Sequence, residues 1–97
     1  MRVVLHAPTA DALTRARSNA RNLRASAPDN EILILANADA VPAALAAPDP
    51  DTDACLRLCG NTLTARGLTA PPEFETVPAV IAELVRLQSE DWFYVRA

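Results

Sequence analysis

Residues 53–67, with the sequence DACLRLCGNTLTARG, contain the side chains of this chain that are best suited to chemistry. The apolar run Ala54–Cys59 stops at Gly60, and the polar segment Asn61–Arg66, which can form a helix, follows at once. This order predicts a strand, a tight turn and a short helix, with Cys59 at the last position of the strand. A thiol there lies beside the N–H groups that open the helix, and their partial positive charge favours a thiolate.

Cys59 has two interpretations. In the first, it is a nucleophilic thiolate on which a persulfide or a mixed disulfide forms. In the second, it is a small buried core residue, as free cysteines commonly are. Two residues that follow Cys59 favour its exposure at a turn. They are Gly60 and Asn61, and we interpret Asn61 first as a helix N-cap.

Cys55 lies near the start of the same predicted strand, far from its C-terminal end. An extended strand separates the two cysteines by roughly 13 Å at about 3.3 Å per residue, which is too far for a disulfide. We therefore predict that Cys55 packs in the core, where free cysteine is usually found. His6 is the only histidine and there is no third cysteine, so the sequence predicts no metal site.

Apolar runs alternate with helical patterns along the whole chain. Continuous apolar runs such as Glu31–Ala36 (EILILA) are typical of parallel strands covered on both faces, and strands that alternate with helices indicate right-handed βαβ units. We predict a single domain over residues 1–97 with an α/β fold, a three-layer α/β/α sandwich with a mostly parallel sheet of about five strands. The predicted strands are Arg2–His6, Glu31–Ala36, Ala54–Cys59, Glu75–Val77 and Trp92–Val95, and the predicted helices are 9–26, 40–47, 61–66 and 78–89.

Polar residues follow or end three of these strands. Ligands of parallel sheets bind at the C-terminal ends of strands, where the sequence places His6, Asn37 and Cys59. His6 is suited to act as an acid, a base or a hydrogen-bond partner of a thiolate, or it is simply a satisfied polar residue that ends a strand. Asn37, Asn61 and Asn19 have amide groups that could donate hydrogen bonds to a bound anion or sulfur species.

Charge and composition argue against several classes of partner. The net charge of −3 argues against a nucleic-acid-binding surface, and no apolar run reaches the roughly 18 residues of a membrane span. The start MRVVLHAPT has too short an apolar run for a signal peptide, so we expect a cytoplasmic protein with free thiols. The only glycines are Gly60 and Gly67, so there is no glycine-rich phosphate loop, and we predict no cofactor.

Three arginines, Arg17, Arg21 and Arg24, lie on one flank of the first predicted helix. Such a flank is usually solvated, or here it meets the acidic loop 49–53 of a neighbouring subunit. The last predicted helix has an apolar arc wider than one face of a small domain needs, which is also consistent with association. That arc is formed by Val80, Ile81, Leu84, Val85 and Leu87.

The order of these segments resembles the DsrE/DsrF-like family over nearly the whole chain. The resemblance includes N-A-R-N-L (Asn19–Leu23), a strand that ends in A-N-A (residues 36–38), and an aromatic last strand. Its most specific part is C-x-N-T-L-x-x-x-G, which starts at Cys59, followed by V-P-A-V-I-A-E-L-V-R-L-Q (Val77–Gln88). One departure is Ala38, where the family leads us to expect a glycine.

The resemblance implies a small α/β fold that assembles as dimers, trimers or hexamers. Some members carry sulfur: a cysteine takes up a persulfide sulfur and passes it along a relay, in tRNA thiolation or in the oxidation of stored sulfur. The motif places that cysteine at Cys59, so the leading hypothesis is a sulfur carrier or sulfurtransferase-like protein that exchanges sulfur with a donor or acceptor protein. The alternative is a non-catalytic oligomeric module of the same fold, which binds a small ligand at the rim or docks a partner.

Overall fold

Five parallel strands form one sheet in the computed structural model of the protein, which describes residues 1–97. The strands are β1 (Arg2–Ala7), β2 (Glu31–Ala36), β3 (Leu56–Cys59), β4 (Glu75–Val77) and β5 (Phe93–Arg96). The helices are α1 (Ala10–Ser26), α2 (Ala40–Ala46), α3 (Pro50–Asp53), α4 (Gly60–Ala65) and α5 (Val80–Ser89).

The strand order is β4-β3-β2-β1-β5, and every pair is parallel. The chain therefore steps in one direction from β1 to β4 and then returns across the whole sheet to β5. Because βαβ crossovers are right-handed, the returning helix α5 covers the face opposite to the one covered by α1. The predicted three-layer α/β sandwich is confirmed, and the sheet is parallel throughout.

The hydrophobic core lies on both faces of the central strands. Val4, Ile34 and Leu58, from three adjacent strands, are fully buried within a single cluster of 24 residues. None of the helices has the length and apolar character that crossing a membrane would need.

The segment before β3 differs from the prediction. Pro50–Asp53, expected to be an acidic loop, forms the short helix α3, because the fixed φ of proline suits the first turn of a helix. The chain then turns, with the Cys55 N–H donating to the Thr52 carbonyl at 3.1 Å, so β3 begins at Leu56 rather than at residue 54. Cys55 is consequently half-buried in a turn and only packs against the core from its edge.

The arginines of α1 contact the acidic segment of their own chain. Arg21 pairs with Asp49 and Asp51, and Arg24 pairs with Asp51 at 3.3 Å. Hydrogen bonding from Arg21 lowers the pKa of the Asp49 carboxyl. The pair formed by Arg17 and Asp53, at 2.9 Å, differs from these because both side chains are only 11% exposed. The acidic segment therefore fastens α3 onto α1.

Candidate functional site

Cys59 ends β3 and occupies the N-cap position of α4, with φ of −71° and ψ of 115°. The predicted position at the C-terminal end of a strand is confirmed. The interpretation of Asn61 as the N-cap is wrong, because the helix begins directly at Gly60 and leaves Asn61 as an exposed residue of the first turn. The N-cap position therefore belongs to Cys59, whose side chain makes no capping hydrogen bond.

The expectation that Cys59 is exposed at the turn is also wrong, because the residue is only 6% exposed. The connection between β4 and α5, residues 77–80, packs over the start of α4, and we refer to it as the covering turn. The Asn61 N–H donates to the Pro78 carbonyl at 3.0 Å. A Cβ on Gly60 would lie 3.0 Å from the Val77 carbonyl oxygen, so the missing side chain of Gly60 is what allows the covering turn to come this close.

The surroundings of Cys59 lower the pKa of its thiol. Burial acts in the opposite direction and raises the pKa, because a charged sulfur loses contact with water. Four donors act against burial: the backbone N–H of Val80, the hydroxyl and the N–H of Thr62, and the N–H of Asn61. The uncharged thiol makes no hydrogen bond that caps α4, so these donors act mainly on the charged form. Their combined effect outweighs burial and favours the thiolate.

Cys55 provides an internal comparison. Burial raises the pKa of its thiol, and the nearby Arg24 and Arg57 reverse this only in part. Its Sγ donates to the Thr52 carbonyl at 3.2 Å, which requires the protonated form. The two cysteines of the chain therefore differ in the direction of their pKa shifts, and only Cys59 has the electrostatics of a nucleophile.

Alkylation should distinguish the two thiols by pH. We expect the rate at Cys59 to rise with pH through a midpoint below the ordinary thiol pKa, and the rate at Cys55 through a midpoint above it, because only thiolates react. The measurement is iodoacetamide labelling against pH, with Cys55→Ser and Cys59→Ser used to isolate each site. Equal midpoints, or a reversed order, would contradict this assignment.

His6 is hydrogen-bonded through both ring nitrogens. Its Nε2 lies 3.0 Å from Asn37 Oδ1 and its Nδ1 lies 2.8 Å from the Tyr94 hydroxyl. Since Asn37 Oδ1 only accepts, the Nε2–H donates to it, and Nδ1 accepts the Tyr94 O–H. Of the two interpretations of His6, the structure therefore favours the satisfied polar residue, and the ring orients Asn37 rather than offering a free base.

Asn37 lies between His6 and Cys59 in the order of the strands. Ala36, the last residue of β2, pairs with Leu58 of β3. Asn37 follows Ala36 and Cys59 follows Leu58, so the two residues lie at equivalent positions on neighbouring strands. The oxygen of the Asn37 amide is turned towards His6 on the β1 side. The NH₂ group of the Asn37 amide takes no part in this contact with His6.

Asn19 does not lie at this rim. It is half-buried in the middle of α1 and lines an apolar groove of about 580 Å³ between α1 and the edge strand β5. Val3 and Leu5 also line this groove, together with Phe93 and Val95. The structure therefore brings His6, Asn37, Asn61 and Cys59 to the C-terminal edge of the sheet, and it places Asn19 in a separate feature.

Ala38 has a positive φ of 49°, the left-handed conformation that glycine adopts without strain. This agrees with the expectation of a glycine after Asn37, and alanine keeps the same backbone shape at an energetic cost. The Ala38 N–H donates to the Thr62 hydroxyl oxygen at 3.2 Å. The loop after β2 is thereby joined to the first turn of α4, beside Cys59.

Ala38→Gly should stabilise the protein by about 0.5–1 kcal/mol, because relief of the left-handed strain exceeds the entropy that glycine adds to the unfolded chain. Urea unfolding measures the change. Ala25→Gly, at an exposed helical position of α1, is the matched control and should destabilise by up to about 1 kcal/mol. A loss of stability in Ala38→Gly would contradict the strain.

Thr62, Val80 and Tyr94 belong to this site although they are not among the predicted site residues. Thr62 is part of the C-x-N-T-L motif, at the third helical position after the N-cap, where side chains reach back to the cap. Val80 follows Pro78 at a helix start. The aromatic run of the last strand was a signal for Tyr94, but only the pairing of β5 beside β1 places it next to His6.

The fold and the site define a small three-layer α/β protein with a buried cysteine of lowered thiol pKa at the C-terminal edge of its parallel sheet. A solved structure with this fold is that of a protein of unknown function, MTH1491 from Methanobacterium thermoautotrophicum. It superposes with a TM-score of 0.84 at 25% sequence identity, covering 99% of this chain and 98% of that one. No protein-family model and no curated protein matches the chain.

Proposed function

We propose that the protein carries sulfur as a persulfide on Cys59, in the cytoplasm, and exchanges it with a donor or acceptor protein. The Cys59 thiolate attacks the outer sulfur of a donor persulfide, R–S–SH. The S–S bond of the donor breaks, R–S⁻ leaves, and Cys59–S–SH forms, so the step is a thiol exchange without net oxidation. The observation that carries the proposal is the lowered pKa of a thiol placed at the N-cap of α4.

Two further features support a sulfur carrier. Asn37 and Cys59 follow a pair of neighbouring residues, Ala36 and Leu58, and the Asn37 NH₂ group, which His6 does not engage, suits hydrogen bonding to a sulfur chain extended from Cys59. The resemblance to the DsrE/DsrF-like family, in the C-x-N-T-L motif that begins at Cys59, gives the same chemistry. The covering turn restricts access to the Cys59 Sγ atom. The outer sulfur of a persulfide on Cys59 would lie about 2 Å beyond this Sγ atom.

Intact-mass spectrometry tests the proposal. The Cys55→Ser variant is incubated with thiosulfate or with the persulfide of a small thiol, and we expect an added mass of about 32 Da, one sulfur atom. The adduct should disappear on treatment with dithiothreitol and should be absent from Cys59→Ser. A Cys55→Ser protein that gains no mass, or an adduct that survives Cys59→Ser, would contradict sulfur transfer at Cys59.

The alternative, an oligomeric assembly module, is favoured by one surface. The edge strand β5 is exposed along its length, with Phe93 at 58% and Val95 at 43%, and it carries no lysine or proline that would block pairing with another strand. The apolar groove beside it is open. We infer that copies of this chain associate through β5, whether or not Cys59 transfers sulfur.

Light scattering measures this association. The wild-type protein should be larger than a monomer, and Val95→Asp should shift it towards the monomer because a charge is placed on the joined edge. Ile81→Asp is the matched control, since Ile81 is an exposed apolar residue on α5, outside the edge strand. A monomeric wild-type protein, or equal effects of the two variants, would contradict association through β5.

A further inference from the structure

A row of four side chains crosses the C-terminal edge of the sheet on one face. Paired residues of a parallel sheet point to the same face, as do residues two positions apart in one strand. His6 pairs with Leu35, and Leu35 pairs with Arg57, two positions before Cys59. His6 and Cys59 therefore share a face, and the His6 ring contacts the two other members of the row. In the order of the strands, the row is Tyr94, His6, Asn37 and Cys59.

Two hydrogen bonds join Tyr94, His6 and Asn37, which we refer to as the rim chain. The Tyr94 hydroxyl donates to His6 Nδ1 at 2.8 Å, and the Nε2–H donates to Asn37 Oδ1 at 3.0 Å. A histidine bonded at both ring nitrogens is fixed in its tautomer and in its orientation. The hydroxyl therefore restricts the ring, and the ring restricts the amide. Tyr94 is 41% exposed, so the rim chain begins in solvent.

The backbone of Asn37 connects the rim chain to the surroundings of Cys59. The Asn37 N–H donates to the Ala7 carbonyl at 3.2 Å, one residue beyond the end of β2. The next N–H along the chain, that of Ala38, donates to the Thr62 hydroxyl oxygen of α4 at 3.2 Å. Neighbouring strands are about 4.8 Å apart, and Cys59 lies at the equivalent position on the next strand. The backbone is thus held on both sides, and the rim chain holds the side chain.

We propose that Tyr94 is a positioning residue of this site: through the His6 ring, it holds the Asn37 amide with the NH₂ group free to bind a persulfide on Cys59. The inference rests on the proposed function, because the persulfide is the ligand of that NH₂ group. In the transfer step, the thiolate of an acceptor attacks the outer sulfur, which keeps its proton. The S–S bond breaks and Cys59 leaves as a thiolate, so no oxidant is needed. A hydrogen bond from Asn37 holds the outer sulfur in the orientation for this attack.

The test follows the loss of about 32 Da, one sulfur atom, when sulfur-loaded Cys55→Ser protein meets 2-mercaptoethanol as the acceptor. Tyr94→Phe removes only a hydroxyl and should slow this transfer about three- to tenfold, the effect of one hydrogen bond. Asn37→Ala should slow it at least as much, and adding Tyr94→Phe should then cause no further loss, because Tyr94 acts only through the amide.

Ser89→Ala is the matched control for Tyr94→Phe. It removes an exposed hydroxyl at the end of α5, before β5 begins and so at the opposite edge of the sheet, and it should leave the transfer rate unchanged. An unchanged rate in Tyr94→Phe would overturn the proposal. A full additional loss when Tyr94→Phe is added to Asn37→Ala would overturn it as well, since Tyr94 would then act by another route.

A second measurement does not depend on sulfur transfer. NMR follows the order parameter of the Asn37 NH₂ group in the Cys55→Ser protein, with Asn37→Ala used to assign its signals. The order parameter should fall in Tyr94→Phe, because the His6 ring loses one of its two hydrogen bonds, and it should not change in Ser89→Ala. An unchanged order parameter in Tyr94→Phe would overturn the positioning role. A lowered order parameter in a protein that gains no sulfur would instead overturn the proposed function alone.

Discussion

Asp53→Ala is expected to lower the free energy of unfolding by about 3 kcal/mol, a large share of the stability of so small a domain. The Asp53 carboxylate accepts from Arg17 at 2.9 Å and from the Asp49 N–H at 2.8 Å. Both side chains of the pair are 11% exposed, so water screens it little. Without Asp53, the buried Arg17 guanidinium would keep only the Ala47 carbonyl, and its Nε already lacks a partner.

Urea unfolding measures this loss, and Asp51→Ala is the matched control. Asp51 lies in the same short helix and pairs with Arg21 and Arg24, but its side chain is 57% exposed. Exposed pairs contribute little, so Asp51→Ala should cost under about 1 kcal/mol. The double variant Arg17→Leu with Asp53→Ala should recover part of the loss, because no charge is left buried. Similar losses from Asp51→Ala and Asp53→Ala would contradict a special role for the buried pair.

Gly60→Val is expected to act on both stability and chemistry. The new side chain meets the Val77 and Pro78 carbonyls, which lie 3.0 and 3.3 Å from a Cβ, and these are backbone atoms that cannot simply rotate away. We expect a loss of about 2 kcal/mol, typical of overpacking, and a displaced covering turn. The limiting rate of Cys59 alkylation at high pH should then rise several-fold, because the 6% exposure of Cys59 depends on that turn.

Gly67→Val is the matched control for this second prediction. Gly67 has a positive φ of 62°, so a side chain there is strained, but no atom lies within 4 Å of its Cβ position. This variant should lose roughly 1–2 kcal/mol by backbone strain and leave the alkylation rate of Cys59 unchanged. An unchanged rate in Gly60→Val, or an equal increase in Gly67→Val, would show that the covering turn does not control access to the sulfur.

Secondary structure was predictable where a single segment carried its own signal. The segment Glu31–Ala36 forms a strand with the predicted bounds, because its continuous apolar run suits a strand that is covered on both faces of the sheet. The start of the first helix, predicted at residue 9, also follows from local chemistry, since Thr9 is the N-cap of α1 and its hydroxyl accepts the Ala12 N–H at 3.0 Å. The errors fall near Pro50 and Asn61, where one short segment suits two local structures and tertiary contacts, such as that of the Asn61 N–H with the Pro78 carbonyl, accompany the one that forms.

The positions of the reactive residues were predictable only in part. Cys59 and Asn37 were expected at one edge of the sheet because parallel strands end on the same side, and the structure confirms this. The environment of Cys59 was not predictable, since it depends on residues 77–80. These residues are separated from Cys59 in the sequence by α4, the loop that follows it and β4. The same holds for Tyr94, which reaches His6 because the last strand joins the sheet beside the first.

The sequence alone therefore determined the α/β class, the parallel sheet and a cysteine at the end of its third strand, because periodicity and strand-end position are local properties. Only the tertiary structure decided that this cysteine is buried, that Val80 and Thr62 donate to its charged form, and that His6 is engaged on both nitrogens. The physical reason is that pKa and access depend on distances of a few ångströms between segments far apart in the chain. Such distances follow from packing and are absent from any local pattern.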